Sequence, residues 1–227
     1  MKHGRVRGFT LVELLVVIGI IALLISILLP VLSKVRRQAT KTSCAARLRQ
    51  LSATVHMYSN EHRGKVLPGE RTDNPDEHTI FFSLEVYDEV LRSVKQKQML
   101  ACPNLVESLP AQKPTGWVLG YTYLGGREKI RRIHKWDSPL RTSESGSLPL
   151  FADLNDWSPT DKWTAIGHRR QGGGDFYVDT GGVTPDELKS EGGNVAYLDG
   201  SVQWKPLAEM KTHETFSGSS GDYLGKW

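Results

Sequence analysis

Apolar residues follow one another almost without interruption over residues 8–32. Between Glu13 and Lys34 there is no charged side chain. As a helix, residues 14–32 are long enough to cross a bilayer core of about 30 Å. The pattern therefore predicts a membrane-spanning helix with one acid, Glu13, near its beginning.

A narrower apolar stripe continues beyond this segment. It consists of Cys44, Leu48, Leu51, Val55 and Tyr58. Their spacing is that of one face of a helix. We therefore expect a single helix from about Phe9 to about Asn60, with its first half in lipid and its second half packed on a globular head. Pro30 should bend this helix without ending it.

The remaining pattern predicts a head of mixed elements. Residues 80–94 show helical spacing, whereas residues 117–123 and 148–151 favour strands. A long helix followed by these elements predicts an α+β fold, in which the helix packs on a small head with an antiparallel β-sheet.

The clearest strand pattern surrounds Asp199-Gly200, which links two apolar-rich runs at residues 194–198 and 201–204. A two-residue Asp-Gly link predicts a hairpin with a type I′ turn, because both turn residues need positive φ. Alternation places Val195 and Tyr197 on one face of this hairpin. Ala196 and Leu198 then share the other face.

The start of the apolar segment carries a resemblance. Arg7-Gly8 followed by Phe9-Thr10-Leu11-Val12-Glu13 resembles the processing site of type IV prepilins and pseudopilins. The resemblance implies that a prepilin peptidase cuts after Gly8 and that Phe9 becomes N-methylated. It also implies that Glu13 pairs with the amino terminus of a neighbouring subunit during assembly, on an inner-membrane platform with other pilin or pseudopilin subunits.

The resemblance also implies a division of the chain. Residues 1–8 would be a cytoplasmic leader, 9–32 the membrane part of the helix, 33–60 its amphipathic part and 61–227 an exported head. Positive residues flank the apolar run on both sides, so charge alone does not orient it. We expect a single-pass protein of the inner membrane with a periplasmic head, part of an extracellular or periplasm-spanning filament once assembled.

Charge argues little for nucleic acid as a partner. Three positive charges of the formal +4 lie in the leader, on Lys2, Arg5 and Arg7, so a cut after Gly8 leaves +1. The basic run at residues 127–136 could contact DNA, but a solvated face or subunit contact is the favoured interpretation.

The chain has two cysteines, Cys44 on the helical stripe and Cys102 before a proline. An exported head permits a disulfide between them, which would close the long loop onto the helix. Two buried free thiols are the alternative, because the sequence does not give the Cα separation that a bridge needs.

His168, Asp199 and Gly200 carry a second resemblance. They are similar to the carboxy-terminal histidine-to-Asp-Gly motif of a large pilin-like family abundant in planctomycetes and related bacteria. In that motif nine residues separate the histidine from the aspartate. In this chain Lys189 occupies the position of that histidine, so His168 matches only through an insertion. We therefore interpret Asp199-Gly200 as a hairpin turn and His168 as a surface or turn residue.

Acidic residues near the carboxy terminus raise the question of calcium. They are Asp175, Asp179, Asp186, Glu187 and Glu191. The spacing of an EF-hand is absent, and Thr184 with Glu187 forms a capping-box pattern at a helix start. We therefore predict no metal and no cofactor, with calcium as the less favoured alternative.

No nucleophile elbow, phosphate loop, CxxC pair or HExxH helix occurs in the chain. An enzyme is therefore the least supported class. The resemblance to prepilins implies a structural subunit of a type IV pilus or of a type II secretion pseudopilus. The alternative is an exported module that binds glycan or DNA and uses a pilin-type anchor.

Overall fold

The structure is a computed structural model that describes residues 10–69, 78–113, 116–132, 135–215 and 223–227. For Lys113 and residues 175–179 it describes the backbone alone. The predicted processing residues Gly8 and Phe9 lie outside the described residues.

The described chain begins with one long helix, α1 (Leu11–Glu61), which contains Pro30 without ending there. The large apolar side chains of its first part are exposed within the described chain. By length and composition this part of α1 can cross a membrane. Two compact units divide the chain, one ending at Ala39 and the other comprising Thr40–Trp227.

The second unit, here called the head, is an α+β structure, as predicted. Its α-helices are α2 (Leu84–Val94) and α3 (Glu128–Arg132), and 3₁₀ turns occupy Lys97–Leu100 and Leu207–Glu209. Its strands are β1 (Phe81–Ser83), β2 (Ala111–Lys113), β3 (Gly116–Val118), β4 (Tyr121–Tyr123), β5 (Pro149–Asp153), β6 (Asn155–Ser158), β7 (Trp163–Ile166), β8 (Asp175–Asp179), β9 (Gly192–Tyr197), β10 (Val202–Pro206), β11 (Thr212–Glu214) and β12 (Leu224–Lys226).

Over the described residues these strands form three sheets, ordered β1-β3-β2, β10-β9-β5-β4 and β11-β12-β6-β7-β8. All named strand pairs are antiparallel. The chain passes directly from β5 in the second sheet to β6 in the third through buried Leu154. Residues at this crossing therefore lie between two sheets.

The predicted stripe of α1 forms part of the main core. Cys44, Leu48 and Val55 are fully buried, Leu51 is nearly so, and Tyr58 is half-buried against the same core. Burying such side chains contributes about 1.5–3 kcal/mol each for the larger aliphatic ones. The second part of α1 is therefore an integral element of the head.

The helix predicted over residues 80–94 begins later than expected. Phe81–Ser83 is a strand that pairs with β3, and α2 starts only at Leu84. Phe82 is buried across from Trp117, so packing overrides the helical spacing at this point. Ser83 caps the helix, accepting a bond from the amide of Val86 at 3.3 Å.

The strand predicted over residues 117–123 is two strands in different sheets, β3 and β4. The break falls at Gly120, whose amide donates to Leu100 O at 2.9 Å. A Cβ placed on Gly120 would lie 2.4 Å from the Cβ of Ala101. Glycine is needed here because two backbones approach closely.

The predicted hairpin is confirmed, but its turn differs from the prediction. Gly200 has positive φ (83°) and Asp199 does not, while the Gly200 amide donates to Tyr197 O at 2.9 Å. This is a turn followed by a glycine in the left-handed region, so the loop has three residues. The predicted faces hold: Val195 and Tyr197 join one core cluster, and Ala196 and Leu198 join the other.

A buried carboxyl group on β6 predicts an unusual dependence of stability on pH. Burial raises the pKa of Asp156 to about 7, although hydrogen bonds from Thr122 and the Asn155 amide oppose the rise. Between the unfolded pKa of about 4 and pH 7, the folded chain holds a proton that the unfolded chain releases. This group's contribution therefore falls as the pH rises, by up to about 1.4 kcal/mol per pH unit.

We expect Asp156→Asn, which mimics the protonated acid, to remove this slope between about pH 4 and pH 7. The measurement is urea unfolding of the full chain in detergent across that range, compared with the exposed control Asp137→Asn. Parallel curves for wild type and Asp156→Asn would contradict the raised pKa.

Candidate functional site

Four side chains that are distant in the sequence converge inside the head. They are Cys44, Cys102, Asp153 and His168, whose possible ligand atoms all lie within 4.8 Å of one another. All four residues are buried. We call this group the cysteine cluster. Each member comes from a different part of the fold: α1, the loop after Lys97–Leu100, the end of β5 and the loop after β7.

Backbone contacts hold Cys102 against α1. Arg47 of α1 donates through one nitrogen to Gln98 O at 2.7 Å and to Ala101 O at 2.5 Å. On the other side Ala101 pairs with Gly120 in an isolated bridge. These contacts fix Ala101, the residue just before Cys102. The sulfur of Cys102 lies 2.8 Å from the sulfur of Cys44.

Asp153 is fully buried and its two oxygens have different surroundings. Oδ2 accepts from the Asn194 amide at 2.7 Å, from Asn194 Nδ2 at 2.8 Å and from His168 Nε2 at 3.0 Å. Oδ1 has no hydrogen-bond partner among the described residues. Tyr121 of β4 pairs with Asp153 of β5. Its hydroxyl is also buried without a hydrogen-bond partner among the described residues. Unsatisfied buried polar atoms are rare and call for an explanation.

The surroundings of the two thiols shift their pKa values in opposite directions. Burial alone would raise the pKa of Cys102, but hydrogen bonds from Cys44 and His168 lower it to about 6. Burial and the bond to Cys102 raise the pKa of Cys44 far above its usual value. For His168, burial is outweighed by Asp153, which raises the pKa to about 10. Cys102 is therefore the more acidic of the two thiols.

Aromatic and charged side chains cover the histidine. The rings of His168 and Trp204 meet edge to face at 5.2 Å, and Lys41 Nζ lies 3.8 Å from the centre of the Trp204 ring. Lys41 also pairs with Glu191 at 2.6 Å. These residues screen the cluster from solvent.

The arrangement does not suit nucleophilic catalysis. A Cys-His-Asp relay needs one ring nitrogen for the thiol and the other for the carboxylate. Here Nε2 of His168 faces both, lying 3.7 Å from Cys102 Sγ and 3.0 Å from Asp153 Oδ2. Burial of all four groups also denies a substrate access to the sulfur.

The structure brings the two cysteines of the predicted disulfide together with His168, which the sequence analysis had related to Asp199. Cys44 and Cys102 are adjacent, as a bridge requires, but both are free thiols, so the disulfide stays a prediction. His168 lies in the loop after β7, but the expectation that it is a surface residue is wrong, because it is only 3% exposed. Its burial follows from the contacts with Asp153 and Trp204.

Asp199 and Gly200 do not join His168 in the cluster. Asp199 is exposed and accepts the Ser201 amide at 2.8 Å within its own turn. Asp153 is the residue that sequence reasoning missed. No spacing marks it, because its proximity to the cysteines arises only where β5 passes into β6.

The acids considered for calcium do not share a site where their side chains are described, because each contacts a different partner. Glu187 closes a capping box with Thr184, accepting its amide at 2.7 Å, but only one turn follows, not a longer helix. Asp186 contacts Lys226 at 2.5 Å and Glu191 contacts Lys41. Asp175 and Asp179 have no described side chains.

The basic run at residues 127–136 is partly buried. Arg127 is fully buried, and its guanidinium donates to Tyr123 O at 3.2 Å and to His78 O at 3.1 Å. Arg131 and Arg132 pair with Glu144 and Glu128. Residues 133 and 134 lie outside the described set. Arg127 is thus a core residue, so the run does not present all its charges at the surface.

At the start of α1, Glu13 makes contacts within its own chain. Its Oε2 accepts from the amide and the hydroxyl of Thr10, both at 2.8 Å, and the Glu13 amide donates to Thr10 Oγ1 at 3.2 Å. This reciprocal pattern is a capping box, which satisfies free amides at a helix start. The Thr-x-x-Glu spacing at residues 10–13 was the sequence signal for it.

Residues 4–29 match the family model of the prokaryotic N-terminal methylation motif. The match spans the predicted cut site and the first part of α1. It supports a type IV pilin-like or pseudopilin-like protein that is processed as a prepilin and anchored by its apolar helix. No curated protein and no solved structure matches the chain.

Proposed function

We propose that the chain is a structural subunit of a type IV pilus or of a type II secretion pseudopilus. In this proposal a prepilin peptidase cuts after Gly8, Phe9 is N-methylated, and the mature chain polymerises through α1. The observation that carries the proposal is the methylation motif at residues 4–29, which includes the exposed apolar first part of α1.

The exposed apolar surface of α1 supports a subunit that resides in the membrane first and polymerises afterwards. Large apolar side chains from Leu11 to Leu32 remain about half exposed or more in the isolated chain. Such a surface is not left in water, because burying it is worth roughly 25 cal/mol per Å². Lipid covers it before assembly, and neighbouring α1 helices cover it in a filament.

The head supports the export side of the proposal. It buries its own core around the second part of α1 and does not depend on the apolar part for that core. A leader on the cytoplasmic face then leaves the head in the periplasm. The partners are the peptidase, the assembly platform and other subunits of the same kind.

Mass spectrometry of the chain from its native membrane tests the proposal. We expect a mature protein that begins at N-methylated Phe9 and lacks residues 1–8. The same preparation, sheared from cells and sedimented, should contain the chain in filaments. A mature amino terminus without any polymer would favour an exported binding module, whereas an intact Met1 would contradict prepilin processing itself.

A further inference from the structure

We propose that the cysteine cluster is a structural zinc site, with Cys44, Cys102, Asp153 and His168 as its four ligands. The inference concerns the head alone and does not depend on processing after Gly8. It goes beyond a filament role because it assigns a metal to residues that otherwise serve only as core.

The donor set suits zinc in number and kind. Two sulfurs, one imidazole nitrogen and one carboxylate oxygen fill a tetrahedral site with no open position, as in structural zinc centres. Thiolates select against calcium and magnesium, which prefer oxygen ligands. Zinc–sulfur bonds of about 2.3 Å place two sulfurs about 3.8 Å apart, so the thiols at 2.8 Å must separate by about 1 Å.

Asp153 provides an independent indication of a ligand. Its Oδ1 is buried and has no partner among the described residues, while Oδ2 is held by both nitrogens of Asn194. Metal-binding carboxylates are typically fixed by such hydrogen bonds from outside the first set of ligands. Zinc at Oδ1 would satisfy the orphaned atom and leave the Asn194 contacts intact.

The unpartnered carboxylate oxygen favours a metal ion over a disulfide. A zinc ion would take both cysteines as thiolates, with release of their protons, and would use Oδ1 of Asp153 as a further ligand. A Cys44–Cys102 bridge would consume the sulfurs and leave Oδ1 of Asp153 unsatisfied.

The site would tie the main elements of the head together. Its ligands join α1 to β5, to the loop after β7 and to the loop before β2. None of these elements is adjacent in sequence, so the unfolded chain has no preformed site and zinc would bind the folded head. Zinc binding would therefore add to the folding free energy of the head.

The test uses the full chain in detergent, purified under reducing conditions and incubated with zinc sulfate. We expect one zinc ion per chain by elemental mass spectrometry after removal of free metal. Cobalt substituted for zinc should give tetrahedral visible bands and sulfur-to-cobalt charge-transfer absorption. The cobalt spectrum is read on wild type, so it does not depend on whether a variant folds.

Variants separate ligands from neighbours. Cys102→Ser and Asp153→Asn should lose stoichiometric zinc, whereas the control Asp156→Asn, a buried carboxyl outside the cluster, should retain it. Asn194→Ala should weaken zinc about 10- to 100-fold. Wild type that binds no more zinc than the Cys44→Ser/Cys102→Ser double variant would overturn the inference. So would a native chain with no zinc and a mass two hydrogen atoms short, the mark of a disulfide.

Discussion

A chain carrying Gly8→Ala is expected to remain at full length, with the eight-residue leader still attached and Phe9 unmethylated. Glycine is the residue that allows a backbone to approach another surface most closely, because it has no Cβ. A peptidase that binds the chain at this position would meet an added methyl group next to the scissile bond. We expect cleavage to fall more than about tenfold, which corresponds to at least about 1.4 kcal/mol in the barrier.

Intact mass spectrometry of membrane fractions gives the result directly. Gly4→Ala is the matched control, because it adds the same methyl group within the leader but away from the cut. We expect it to be processed like wild type. Cleavage of the Gly8→Ala chain at the same bond would contradict the assignment of Gly8, and failure of both variants would place the requirement on the leader as a whole.

The helical part of the fold was open to prediction because its determinants are local. The stripe from Cys44 to Tyr58 repeats at helical spacing, and each member packs against the core as expected. The faces of β9 were predictable for the same reason, since alternation places Val195 and Ala196 on opposite sides. Periodicity over several residues is a signal that tertiary packing rarely overrides.

The sheets could not be predicted in the same way. β1, β3 and β4 are each three residues long, too short for alternation to be recognised. Their division between two sheets depends on the contact of Gly120 with Ala101, which joins distant parts of the chain. Similarly, Phe82 belongs to a strand because Trp117 lies opposite it, although its spacing fits the following helix.

The cysteine cluster shows why a buried site of this kind escapes sequence reasoning. Local metal motifs bring ligands together by short spacing along the chain. Here Cys44 and His168 come near each other only when α1 and the loop after β7 pack together in the folded head. The sequence relates His168 to Asp199 through an imperfect motif, whereas no motif relates it to Asp153, its actual hydrogen-bond partner.

Substitution of Glu13 is also expected to have a large effect. The carboxylate of Glu13 can act in two ways. It caps α1 through Thr10, and the resemblance to prepilins assigns it a charge partner on the next subunit. The magnitudes differ: a cap is worth about 1 kcal/mol, whereas an unpaired charge in a membrane costs roughly 2.5–3.5 kcal/mol. If charge pairing governs assembly, we expect loss of the charge to be decisive and loss of the cap to be minor.

Two substitutions separate the explanations. Glu13→Gln removes the charge but keeps a side chain that a capping box accepts. Thr10→Ala removes the cap and leaves the carboxylate in place. We expect Glu13→Gln to be cut after Gly8 but to fall about 100-fold in sheared filaments, the equivalent of roughly 3 kcal/mol. Thr10→Ala should assemble nearly as well as wild type.

The comparison is made on filaments sheared from cells and quantified against the membrane pool, with the mass of each mature chain checked first. That check separates a failure to assemble from a failure to be processed. Normal assembly of Glu13→Gln together with failure of Thr10→Ala would show that Glu13 acts by starting its own helix. In that case the axial register of the subunits would have to come from the packing of α1 side chains, because no other charge lies between Glu13 and Lys34.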